Sequence, residues 1–341
     1  MTLFRCLIFL LLSGMASTGM TSQSALADKF LGETQRTLFV FHSHSALQAL
    51  GQIQNHIEAI SGDASQNHLD SARAAFAELV RHWKAVEAIY VAGILDENLI
   101  DHPRFIDHFH QGHVSIEETL NPILRSNKKL ATAMFKSSSK SINALEYLLF
   151  ENMDQNSRRW EAILVSIAFI RTWLDEIDQF YLNDGSFVQG GEKSLALLVN
   201  ALVDSSYRLL NWRIGEPAGL VKKYRGKPAY ERLEYYRSGF SGLAIQSILK
   251  THARVFSIGV ESGYLSTEGR NQGLEEITFV RGLIESALEA AAQLPVNQTT
   301  DVTSSEFNQV FQRVEALHKA YYLLLIDAMG FEGKIVDADG D

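Results

Sequence analysis

Two short stretches of the chain carry side chains that could do chemistry together. The first is His108-Phe-His110-Gln-Gly-His113 followed by Glu117, with Asp101, His102 and Asp107 just ahead of it. Imidazole and carboxylate donors in one place suit a transition metal or iron. On a helix, His110, His113 and Glu117 would share a face. Gly112 falls inside that spacing, so a solvated polar loop is the competing reading. The second stretch is Ser141-Ile-Asn143-Ala-Leu-Glu146-Tyr147-Leu-Leu-Phe150. Asn143 followed by Glu146 has the form of a capping box, with the amide as N-cap and the carboxylate reaching back. A histidine in place of Asn143 could hold a metal jointly with Glu146. An amide oxygen is instead a weak neutral donor, better matched to hard cations than to zinc. Activation of a zinc-bound water therefore has little support at this spot.

Other chemical signatures are missing. The sequence has no Gly-Lys-Ser/Thr phosphate loop, no Gly-x-Ser-x-Gly elbow and no His-Glu-x-x-His pair. His42 and His44 cannot share a helical face and are expected at the surface. His252 sits inside an apolar stripe and is expected as a satisfied core histidine. Trp83 and Glu87 lie one helical turn apart, which makes them the aromatic and acid pair most worth following.

The elements that must position these groups are helices. Ala46, Leu47, Leu50, Ile53, Ile57 and Ile60 keep helical spacing, ended by Gly62. Leu69 to Tyr90 repeats the pattern, with its end expected at Gly93. Residues 94–113 read as irregular, and a shorter helix over 115–125 reads as interrupted at Asn121-Pro122. Trp160 to Tyr181 forms the clearest stripe of this half. Leu195 to Leu209, Ile245 to Phe256 and Leu274 to Leu288 follow, and a last helix opens with a Thr303-x-x-Glu306 box. No alternating strand pattern competes. The chain is expected to be all-α, two up-and-down helical bundles in tandem, with the boundary at Asn183-Asp-Gly185 to Gly190-Gly191. That places the N-terminal bundle at 28–185 and the C-terminal bundle at 192–341.

Arg5, the apolar run from Cys6 to Leu12 and Ala25-Leu-Ala27 read as a cleavable signal peptide over 1–27. Cys6 is the only cysteine, so the mature chain would hold no disulfide and no thiolate site. A formal net charge of -9 disfavours a nucleic-acid partner, since no basic excess exists to neutralise phosphates.

The second stretch also resembles the signature of the imelysin-like family, in which Gly-x-His-x-x-Glu runs into a Tyr-Leu-Leu-Phe helix. Ser141 stands at the family's Gly and Asn143 at its His, while Glu146 is retained. The Trp83-x-x-x-Glu87 helix, the Arg213-Ile-Gly-Glu-Pro-Ala-Gly219 turn, Tyr236-Arg237-Ser238-Gly-Phe-Ser-Gly242 and the Asp-Gly-Asp341 ending extend the resemblance over nearly all of the mature chain. It implies a two-domain helical protein exported to the periplasm or outer surface and linked to the acquisition of iron or another metal. It also implies a motif cleft, to which Ser141, Asn143, Tyr147, Trp83, Glu87, Arg237 and Ser238 would belong. Some members are classed as metallopeptidases, with the motif His and Glu as metal site or catalytic pair. Three readings follow. The first is a non-enzymatic role in metal uptake, of iron above all, through bound iron or another divalent metal (Glu146, His108, His110, His113, Glu117) or through an iron-uptake membrane component. The second is a metallopeptidase, and the third a metal-free interaction scaffold.

Overall fold

Apolar residues at helical intervals draw each segment into a helix with one buried face. A computed structural model describes residues 20–60, 66–111, 115–151, 157–265, 271–296 and 298–329, and no strand occurs among them. Helix α1 (Met20–Thr34) passes through a wide π-type turn (Gln35–Val40) into α2 (Phe41–Ile60), and α3 (Gln66–Ala88) returns against it. Then come α4 (Ile116–Arg125), α5 (Ile142–Phe150) and α6 (Ser157–Asn183). The second half holds α7 (Glu192–Arg208), a second π-type turn (Leu209–Gly215), α8 (Ser241–Glu261), α9 (Asn271–Ala291) and α10 (Ser305–Met329).

The expected stripes form the interior. Leu50, Ile53 and Ile57 of α2 meet Leu69, Phe76, Leu79 and Trp83 of α3, all buried. Each large side chain so covered contributes roughly 2 kcal/mol. Helix α3 packs on α2 along one side and on α8 along the other, while α6 covers the far side of α2. Helices α9 and α10 pair with each other, and α10 also packs on α7 and the second π-type turn. Helices from both sides of Gly190-Gly191 therefore share one continuous apolar cluster. Within that glycine-rich segment, Ser186–Gln189 makes a single helical turn whose Phe187 is buried edge-on against Phe39, 4.9 Å between ring centres. Gly191 then turns the chain into α7 at φ 52, a conformation costly for other residues.

The structure corrects several local expectations. Helix α3 ends at Ala88, not at Gly93, which lies in a one-turn helix (Ala92–Leu95) where a Cβ would meet the Ile100 backbone. Two more short turns, Glu97–Leu99 and His102–Ile106, order the stretch expected to be irregular. Helix α4 runs through Pro122 without interruption. Neither capping box forms as expected. The α5 cap is Ser141, whose Oγ accepts from the Ala144 amide at 3.4 Å, and Asn143 is inside the helix. Helix α10 is capped by Ser304, which accepts from the Phe307 amide at 3.1 Å, because Asp301 takes the Thr303 hydroxyl at 2.7 Å. His42 is half-buried, since α3 brings His82 Nδ1 to 2.9 Å from its own Nδ1. His44 does stay exposed, and His252 is a core residue bonded to Ser205 and Tyr321 at 2.9 and 3.2 Å. His113, residues 1–19 and Asp337–Asp341 lie outside the described residues, while Ala25-Leu-Ala27 falls within α1.

Candidate functional site

The last turn of α3 presents Trp83, Lys84 and Glu87 to the junction between the two halves of the chain. Lys84 is fully buried, and water cannot solvate its ammonium. Three carboxylates do so instead: Glu87 at 2.6 Å, Asp107 at 2.6 Å and Glu234 at 2.5 Å. Asp107 follows the short His102–Ile106 helix, and Glu234 belongs to the turn before α8. The second π-type turn adds Arg213, which donates from Nε to Glu234 at 2.7 Å and from Nη2 to Glu87 at 2.8 Å. Trp83 Nε1 and the Tyr235 hydroxyl both donate to Asp107, at 3.0 and 3.1 Å. The wide π-type turn shifts the register of Arg213, a device common where a side chain must be re-aimed.

The electrostatics follow from burial among opposite charges. Burial works against the Lys84 charge, but Asp107, Glu234 and Glu87 together hold its ammonium above the usual lysine range. Burial likewise opposes Asp107, yet Lys84 keeps it well below the carboxylate range. Arg213 and Lys84 outweigh burial at Glu87 as well, and hold it down. Three acids face two cations, and the surplus falls on Glu234, where burial wins over Arg213 and Lys84 and pushes the carboxyl up. Tyr235 adopts φ 57, a backbone state uncommon for a bulky residue, and it is held there by its bond to Asp107.

The motif helix adjoins this cluster through the Asp107–Phe109 turn. Asn143 Oδ1 accepts from the His108 backbone amide at 2.6 Å. Its carbonyl oxygen is therefore spent on shape. Glu146 is buried, and its Oε1 accepts from both the amide and the hydroxyl of Ser238, at 2.9 and 2.7 Å. Burial, working against those two bonds, raises its pKa to about 7. Arg237 lies over the rings of Tyr147 and Tyr236 at 5.2 and 4.4 Å, and its buried Nε has no hydrogen-bond partner among the described residues. Tyr147 donates to Asn121 at 2.8 Å, and Arg159 and Arg73 donate to the carbonyls of Leu148 and Leu149 at the far end of α5. Both ends of this short helix are thus tied down.

The described members of the histidine set point to separate partners. His108 to Gln111 form a turn with His110 at φ 60, and Glu117 lies in α4, whose N-cap is Ser115, so His110 is not on the helix that carries Glu117; His113 is outside the described residues. His110 stacks on Trp212 at 4.2 Å and meets Glu216 at 3.0 Å. Glu117 faces Arg237 at 4.0 Å, and His102 bonds to Glu176 at 2.6 Å. Among the described residues, the only acid or imidazole group gathered as tightly as metal ligands is Glu87, Asp107 and Glu234, within 4.8 Å of one another. The cation at their centre is the Lys84 ammonium, so this donor set does not fit a resident metal. Sequence reasoning pointed to Trp83, Glu87, Glu146, Arg237 and Ser238 but missed Lys84, Glu234 and Tyr235. The available signal was a lysine embedded in an apolar helix face.

The helical fold has counterparts among solved structures. An imelysin-like protein from Psychrobacter arcticum 273-4 superimposes with a TM-score of 0.74 at 15% identity, over 90% of this chain and 96% of that one. A protein provisionally named an iron-regulated protein A precursor, from Parabacteroides distasonis ATCC 8503, gives 0.68 at 11% identity, over 90% and 95%. No curated protein matches the chain. The imelysin family model matches residues 42–340, and the chain belongs to the imelysin family.

Proposed function

We propose that the protein is a non-enzymatic imelysin that supports iron acquisition at the cell envelope by binding an iron-uptake membrane component at the motif junction. The observation that carries this reading is the motif itself. Asn143 stands where the family's imidazole would be and gives its oxygen to the His108 amide, so the motif organises the junction and supplies no imidazole for zinc. Arg237, partly exposed beside it, is a cation that a partner could engage, while the buried Glu146 holds the neighbouring Ser238 in place. The Parabacteroides neighbour bears an iron-regulated precursor's name, which supports both the iron link and export through the signal-like N-terminus to the periplasm. A deletion strain should grow poorly when iron is chelated. The wild-type gene should restore growth, and Glu146→Gln with Arg237→Ala should not. Chelator-sensitive hydrolysis of unfolded polypeptide by the purified protein would overturn the non-enzymatic reading. Iron binding at one site, lost in a His110→Ala/His113→Ala double variant, would instead favour a protein that holds the metal itself.

A further inference from the structure

A cleft of about 300 Å³ opens where α2, α3 and α8 meet, between residues none of which belongs to the motif junction. Its floor is apolar, built by Leu38 and Ala85, with Phe41 standing at the side 53% exposed. Its rim is cationic: Arg81 from α3 and Lys250 and Arg254 from α8. No carboxylate lines it among the described residues. Arg81 and Arg254 each reach a glutamate outside the cleft, Glu78 at 3.2 Å and Glu261 at 2.6 Å. Lys250 makes no ion pair among the described residues. The hydroxyls in the wall are already used, since Thr37, Ser247 and Thr251 donate to the backbone carbonyls of Glu33, Leu243 and Ser247 at 2.6, 2.8 and 3.0 Å, which leaves the cations to hold an anion. An unpaired lysine thus shares one rim with two arginines whose glutamates lie outside the cleft, and their like charges repel, in a chain with 40 acidic residues against 31 basic ones. An exposed phenylalanine beside them leaves apolar surface uncovered as well. One occupant relieves both costs.

We propose that this cleft binds a small amphipathic organic anion, its carboxylate held by Lys250 and Arg254 and its apolar body laid on Leu38, Phe41 and Ala85. At the ~30 Å³ that one water occupies in the liquid, the space takes on the order of ten heavy atoms, the size of an eight-carbon carboxylate. This goes beyond the iron-acquisition reading and uses none of its residues.

The test is calorimetric titration of the purified protein with octanoate, with octan-1-ol as the uncharged analogue and inorganic phosphate as the bare anion. Octanoate should bind saturably at one site, octan-1-ol at least roughly tenfold more weakly, and phosphate should not displace octanoate. Lys250→Glu should weaken octanoate by roughly tenfold or more, since it places an acid on the rim. Phe41→Ala should weaken it by roughly fivefold, through lost apolar contact. Both positions are exposed, so circular dichroism should report unchanged folding. Non-saturable octanoate binding, equal affinity for octan-1-ol, displacement by phosphate, or full affinity in folded Lys250→Glu would each overturn the proposal.

Discussion

Replacing Lys84 by Met removes the central positive charge of the junction while nearly keeping its volume. Glu87, Asp107 and Glu234 would then face one another, buried, with only Arg213 to balance them. Deleting one partner of a buried charge network typically costs ~3–5 kcal/mol, because the desolvated partners remain. Unfolding entropy near ~2.1 cal/mol/K per residue gives ~0.7 kcal/mol/K for a chain of this length, so the melting temperature should fall by about 6 °C. Urea unfolding and calorimetry at neutral pH measure both quantities. Lys84→Ala adds a second arm, since it empties the position between three oxygens that lie within 4.8 Å of one another. Calcium or manganese should then bind and return ~2.7 kcal/mol at a hundredfold excess over the dissociation constant. The wild type, with its ammonium in place, should show no such gain. A loss below ~1 kcal/mol in Lys84→Met would refute the picture of a dry, tightly paired network, because exposed ion pairs are worth no more than that.

Three further outcomes follow from the same geometry. Glu146 has its folded pKa raised to about 7 from an ordinary 4.5, so the folded state holds its proton longer than the unfolded one. Stability should therefore decline as pH rises from about 4.5 to 7; Glu146→Gln should flatten that slope and gain up to ~3 kcal/mol at pH 8, read by urea unfolding at both ends. Asn143→Ala leaves the His108 amide without its acceptor, which should cost ~1–2 kcal/mol and speed hydrogen exchange at that amide. Unchanged exchange would show that the bond is not made. Gly242→Ala puts a methyl group against the Pro295 carbonyl at the start of α8 and should destabilise the protein by ~1–3 kcal/mol in thermal unfolding.

The sequence by itself determined the helices and their inward faces, because helical periodicity is a local property written every three or four residues. Leu69, Phe76 and Trp83 of α3, and Ile163, Ile170 and Ile177 of α6, are buried as their spacing requires. His252 in an apolar stripe had to be satisfied in place, and it is. Capping was legible only to within a residue or two. Ser141 and Asn143 are both good N-caps, as are Thr303 and Ser304, and the choice fell to outside partners: the His108 amide claimed Asn143, and Asp301 claimed Thr303. The junction was beyond local reading. Lys84 and Glu234 stand 150 positions apart, and Glu87 and Arg213 126 apart. Nothing in either neighbourhood records the other. Only tertiary packing added Asp107 and, from the turn before α8, Glu234 to the Glu87 that Lys84 already had one turn away, and only the Asp107–Phe109 turn against α5 directed the Asn143 amide to a backbone group. Burial made both choices, because a charge or amide removed from water must take whichever partner the fold brings within reach.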